Sequence, residues 1–403
     1  MQFTKDSGDL IRYFIPHVTE SKENRSFNKI LLQLYRDILK ADEYVNDKMN
    51  QNCFNTHLRG KGELLKCSLL EGSFIPPEIR QYINNDIIKQ LIYRCTIHDR
   101  VVKVVFSIFS EDELKRIDKY NRYVKFIYTW LYICQQYSLK RCSKEITIFL
   151  NLTSYKKVLP SNPGNVIDVD NVNTAVTYTC APEGEMLIYR EEEWIKVFIH
   201  ETFHSFGFDY GLQNNSSIKP RFQSFFEIDS DFAISESYTE VWARIVNCAF
   251  NSFYSLTDRT NTNDFLLYIH FCLQIERLMA VYQLIKVLNY MGMSYKTITE
   301  KSELALSQRK NLYREKTNVF AYYIISAILL NNVHLFLNWC LLHNSNLFLF
   351  SQNPNSVTQF IDFIFKEYNN PVLLNTIRTL EKKHSKKKFI NTNLRMSAIE
   401  YAI

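Results

Sequence analysis

The chain has 403 residues, 46% of them hydrophobic and only 22% charged, with a net charge of +6. That length allows two or three sub-domains around a sizeable core, and that composition excludes a disordered chain. The slight, interleaved charge argues against a nucleic-acid partner. Its one concentration, Lys382-Lys383-His384-Ser385-Lys386-Lys387-Lys388, reads as a solvated helix end or loop. Gly and Pro number 9 each against 29 Phe and 25 Tyr, which favours long buried helices. The abundance of Phe, Tyr, Ile, Asn and Lys fits the codon usage of an AT-rich genome. Nine cysteines occur singly, an odd number without Cys-x-x-Cys spacing, as expected of reduced thiols in a cytoplasmic protein. Residues 1–6 carry no signal-peptide pattern. The most apolar stretch, Val319 to Leu342, is interrupted by Asn331, Asn332, His334 and Asn338, so it reads as core helices and no membrane partner is expected.

In chain order, residues 1–90 read as a helical N-terminal region, with Ile30, Leu31, Leu34 and Ile38 at helical spacing and a break from Gly60 to Pro77. A strand pair follows at Leu91–Cys95 and Val101–Phe109, turning near Asp99-Arg100. Glu111–Tyr137 reads as one long helix, with Ser110 as N-cap and Glu113 completing a capping box. Glu145–Leu152, Asn173–Thr179 and Met186–Tyr189 read as extended segments. Loops containing Ser161-Asn162-Pro163-Gly164 and Ala181-Pro182-Glu183-Gly184 separate them. Glu191–Phe206 is a strong helix, acidic at its start and closed by Gly207. From about residue 232 onward the pattern is helical. The expected organisation is a sheet and active-site helix over 91–210, then a helical C-terminal domain over 211–403. The fold class is α+β, mainly helical with a mixed sheet.

The chemistry lies in His200-Glu201-Thr202-Phe203-His204 on that helix. Residues four apart share a helix face, so both imidazoles can reach one ion. Glu201 then sits beside the ion as a base for a metal-bound water, whose pKa zinc lowers to about 7. The expected cofactor is one zinc ion. A third ligand is needed. In the metzincin pattern it lies six residues after the second His, here Tyr210, and Asp209 falls one short. Ser235-Glu236-Ser237-Tyr238-Thr239-Glu240 offers a better choice. Its two acids share a face, so one can bind zinc while the other accepts an N–H from a ligating His. The apolar neighbours Ala233-Ile234 and Val241-Trp242-Ala243 mark that helix as buried, where unpaired acids are costly.

These two motifs resemble the gluzincin branch of the zincin metallopeptidases, in which a ligating Glu is followed four residues later by an acid that orients a ligand His. The resemblance implies that Glu236 is the ligand and Glu240 the orienting acid. It departs from the family in having Glu in place of Asp at 240 and a long spacer. The segment from Glu193 through the pentad, with Ser235 to Ala243, is also similar to uncharacterised predicted metallopeptidases of large DNA viruses, which implies a host-cytoplasmic or virion location. Zincin folds place an antiparallel edge strand over the cleft to pair with substrate. Asn173 to Tyr178 is the counterpart, with Asn173, Ala175 and Tyr178 as candidate contacts. Tyr322, Tyr323, Arg314, Tyr238 and His270 are candidate oxyanion donors. The implied function is zinc-dependent hydrolysis of a protein or peptide. The alternatives are an inactive zincin-shaped scaffold, which needs no Glu201, and a structural zinc site, which needs a fourth protein ligand.

Overall fold

A computed structural model describes residues 3–19, 25–51, 53–212, 218–383 and 385–402. The fold is α+β, with one six-stranded mixed sheet embedded in helices. The strands are β1 (Asn55–Gly60), β2 (Lys89–Ile97), β3 (Arg100–Ile108), β4 (Glu145–Thr153), β5 (Ala175–Thr177) and β6 (Glu183–Arg190), in the order β1-β2-β3-β4-β6-β5. β3, β4 and β6 run parallel, and the outer pairs β1–β2, β2–β3 and β5–β6 are antiparallel.

The period-two alternation assigns the two faces of the sheet. Leu91, Tyr93, Val102, Val104, Ile146, Ile148, Met186 and Ile188 join the main core, which holds the helices Arg25–Asn50, Ile117–Tyr137, Trp194–Ser205 and Ile234–Tyr254. Ile92, Val105, Phe149, Leu187 and Tyr189 face a smaller cluster closed by Ile75, Ile79 and Ile83 around the helix Pro77–Asp86.

Several boundaries differ from the sequence reading. The sheet takes a strand from before residue 91, and the main core runs without a break from Leu10 to Ile399, so the region after 211 packs into the same core as the sheet. The expected helix Glu111–Tyr137 is broken at Arg116 (φ −108°, ψ 40°), and Ser110 makes no capping bond. The stretch from Val319 is a π-helical turn, Phe320–Ile325, followed by the helices Ser326–Asn331 and Val333–His343, which bend by 92° at the asparagines. The 29-residue helix Thr262–Tyr290 is long and apolar enough to cross a membrane, but 67% of its apolar window is buried in the fold. The thiol expectation fails for two cysteines. Cys142 and Cys180 form a disulfide, a pairing that linear spacing does not reveal, while Cys53, Cys67, Cys95, Cys134, Cys248, Cys272 and Cys340 are free. In the basic run, His384 lies outside the described residues, and Lys387 pairs with Asp9 at 2.7 Å.

Candidate metal centre

The helix Trp194–Ser205 is buried on every side, so each polar group on it needs a partner or a purpose. It starts after Glu193, which adopts left-handed angles (φ 59°). It ends at Gly207 (φ +73°), where a Cβ would lie 2.9 Å from Cys142 Sγ, so glycine is required on two counts. The disulfide therefore packs on the turn behind His204. Cys180 N–H also donates to the His204 carbonyl at 3.1 Å, and Ser143 Oγ donates to the Ser205 carbonyl at 2.8 Å.

Two rows of side chains face each other across this helix and Ile234–Tyr254. Lys196, His200 and His204 rise at four-residue steps on one, and Glu236, Glu240 and Arg244 on the other. His200 Nε2 lies 3.1 Å from Glu236 Oε2 and 3.2 Å from His204 Nε2, and His204 Nε2 lies 3.4 Å from Glu236 Oε2. These three form the one group among the described residues whose ligand atoms lie close enough to share an ion. Tetrahedral ligands at the usual zinc distances are about 3.3 Å apart, which matches all three edges. The donor set of two imidazoles and one carboxylate is also that of a zinc hydrolase site.

The other ring nitrogens explain why the lone pairs converge. His200 Nδ1 is 3.1 Å from Glu240 Oε2, and His204 Nδ1 is 2.7 Å from Asp209 Oδ2. A carboxylate opposite Nδ1 places the proton there and leaves Nε2 bare. Three acceptors then point at one another, an arrangement that requires a cation or protons between them. Burial works against protonating the rings, but Asp209 and Glu236 hold His204 well above its ordinary range, and Glu236 and Glu240 raise His200. Burial likewise favours neutral carboxyls, yet His204 and His200 keep Glu236 low, and Lys196 and His200 do the same for Glu240.

Glu240 is fully buried and held by three donors through four hydrogen bonds. Lys196 Nζ reaches its two oxygens at 2.9 and 3.1 Å, Arg244 Nε donates at 2.9 Å, and His200 completes the set. Beyond it, the row joins a wider ionic cluster. Glu193 pairs with Lys157 and accepts backbone N–H groups from Met396 and Ser397, while its own N–H donates to Glu400, which pairs with Arg395. The segment 393–399 is thereby fastened against the start of the helix.

Glu201 lines both the open cleft, about 1100 Å³, and a small neighbouring pocket of about 40 Å³. Burial raises its pKa, and the two histidines oppose the rise. Of the oxyanion candidates, Tyr322 reaches the centre, donating from its hydroxyl to Glu236 Oε2 at 2.9 Å. The π-helical turn sends the adjacent Tyr323 the other way, to the Leu394 carbonyl at 2.7 Å. Arg314 is exposed and donates to the Asn311 carbonyl at 3.3 Å, Tyr238 is buried against the Phe348 carbonyl, and His270 pairs with Asn28.

β5 is the edge strand of the sheet and borders the cleft, but only three residues are paired. The bonds Tyr189 N–H to Thr174 O and Tyr178 N–H to Glu185 O turn the backbone of 174, 176 and 178 toward β6. The N–H and C=O of Ala175 and Thr177 therefore face the cleft. Of the three expected contacts, Ala175 fits. Tyr178 has its N–H turned inward, and the Asn173 carbonyl accepts from Arg190 at 2.9 Å while its side chain accepts from Thr317 at 2.6 Å.

Sequence reading missed Asp209, Lys196 and Arg244. Extending the two i+4 rows by one step in each direction finds the last two. Asp209 is visible as an acid just beyond the helix-ending glycine. No family model, no curated protein and no solved structure matches this chain.

Proposed function

We propose that the chain is a zinc-dependent peptidase of the gluzincin kind, holding one zinc ion through His200, His204 and Glu236. The observation that carries this reading is the convergence of His200 Nε2, His204 Nε2 and Glu236 Oε2 on one point, with each imidazole already committed to a carboxylate at its other nitrogen. A zinc ion held by these three residues would supply a Lewis acid for the carbonyl and would lower the pKa of a bound water to about 7. Glu201 takes the proton from the attacking water and passes it to the leaving amine. A buried carboxyl with a raised pKa suits both halves of that exchange. The Tyr322 hydroxyl, on the cleft wall beside Glu236, is the donor nearest the centre for charge developing on the carbonyl oxygen. Ala175 and Thr177 offer backbone groups to an extended chain, which selects a protein or peptide substrate. Glu201 lines the cleft beside both histidines, the place a base for a bound water has to occupy and one that an inactive scaffold does not need.

The test is Glu201→Gln, measured for bound metal and for cleavage of a peptide library. The expected result is full zinc content with turnover reduced by about 100- to 10,000-fold. Loss of zinc together with activity would remove Glu201 from the role of base. A wild-type protein that takes up no zinc would overturn the whole reading.

A further inference from the structure

Phe74 is 55% exposed, yet its backbone is firmly held. Tyr189 hydroxyl donates to its carbonyl at 3.0 Å, Arg80 donates to the Gly72 carbonyl at 2.6 Å, and the next residue, Ile75, is buried in the smaller cluster. An exposed aromatic ring on a clamped loop lines the same cleft as the metal centre. Val176 packs against that smaller cluster, so its side chain lies on the Phe74 face of the sheet, whereas Ala175 lies on the opposite face with the main core.

The hydrogen-bonding parity of β5 then fixes what an incoming strand would meet. Ala175 and Thr177 direct their backbone groups outward, so they would form the hydrogen-bonded pairs of an antiparallel addition. Val176 would occupy the non-hydrogen-bonded position between them. At such positions the facing residues come closest, about 4.5 Å between Cα atoms, and their side chains share one face. We infer that the substrate residue opposite Val176 enters an apolar subsite formed by Val176 and Phe74, and that Phe74 selects for a large apolar or aromatic side chain there. This deepens the peptidase reading and rests on it for the direction of chain binding.

The experiment uses zinc-loaded Glu201→Gln protein, which holds peptides without turning them over, and a positional-scanning set of extended fluorescent peptides. One position is expected to prefer Phe or Leu over Asp by about 10-fold or more in Kd. In the Phe74→Ala, Glu201→Gln double variant that ratio falls to about 2-fold with zinc affinity unchanged, and Phe74→Leu restores most of it. A preference that survives Phe74→Ala, or peptides that bind with no positional preference, would overturn the subsite, as would a protein that binds no peptide at all. Cleavage by the wild type is scored separately. Turnover without preference sinks the subsite and leaves the peptidase reading, whereas preferential binding without turnover does the reverse.

Discussion

Asp209 determines which nitrogen of His204 remains free. Its carboxylate lies 2.7 Å from Nδ1, as Glu240 lies 3.1 Å from Nδ1 of His200, so both rings present Nε2 to the same point. Replacing such a partner usually weakens metal binding by about 10- to 100-fold. Asp209→Ala should therefore lower zinc affinity within that range while leaving the fold intact, as measured by competition with a chromophoric chelator. Unchanged affinity would mean that the surrounding packing alone orients His204. Sequence spacing reached His200, His204, Glu201, Glu236 and Glu240 because each belongs to an i+4 pair or sits beside one. It passed over Asp209 because that residue was considered only as a ligand, one position short of the metzincin spacing, and its orienting role depends on the turn at Gly207.

At the level of elements, period-two and period-3.6 patterns located the strands and the pentad helix. They could not show that β5 shrinks to three residues, that a π-helical turn separates the directions of Tyr322 and Tyr323, or that Cys142 meets Cys180. Each of these depends on contacts made across the fold. The disulfide joins the loop before β4 to the loop after β5 across 38 residues, and packs against the glycine turn behind His204. Closing a loop of that size in the unfolded chain is worth about 4 kcal/mol in the chain-entropy account. Cys142→Ser, or reduction of the wild type, is expected to lower the free energy of unfolding by up to about that amount. Denaturant titration with and without a dithiol reductant measures it, with Cys142→Ser as the control that should not respond to reductant at this bond. Equal stability of the oxidised and reduced forms would show that the turn is braced by packing alone.

On the scale of the whole molecule, the α+β class and the position of the sheet ahead of the helix that carries the histidine pair were legible. The sequence pattern suggested a division at residue 211, but it could not show that the side chains on either side of that point share one core. One core takes side chains from both ends of the chain, and the contacts that unite it, such as Glu193 with Met396 and Ser397, span more than 200 residues. The same contacts have a consequence for acid. Burial alone would raise the Glu193 carboxyl, but Lys157, Lys196 and Arg395 outweigh it and bring its pKa from 4.5 down to about 2. A carboxyl depressed on folding contributes its full stability above the unfolded value and loses it as pH falls through the folded one. Glu193 therefore takes up a proton on unfolding between about pH 4.5 and 2, a linkage of at most about 3 kcal/mol. Metal-free protein, titrated with denaturant from pH 6 to pH 2.5, isolates this from zinc release. Glu193→Gln should be less stable at pH 6, because Lys157 is left buried without its partner, and should lose less than the wild type on acidification. Parallel pH profiles would show that the proton is bound elsewhere. If the profiles diverge as expected, acid would loosen the start of the helix Trp194–Ser205 through the segment fastened to it, at a distance from the candidate metal ligands themselves.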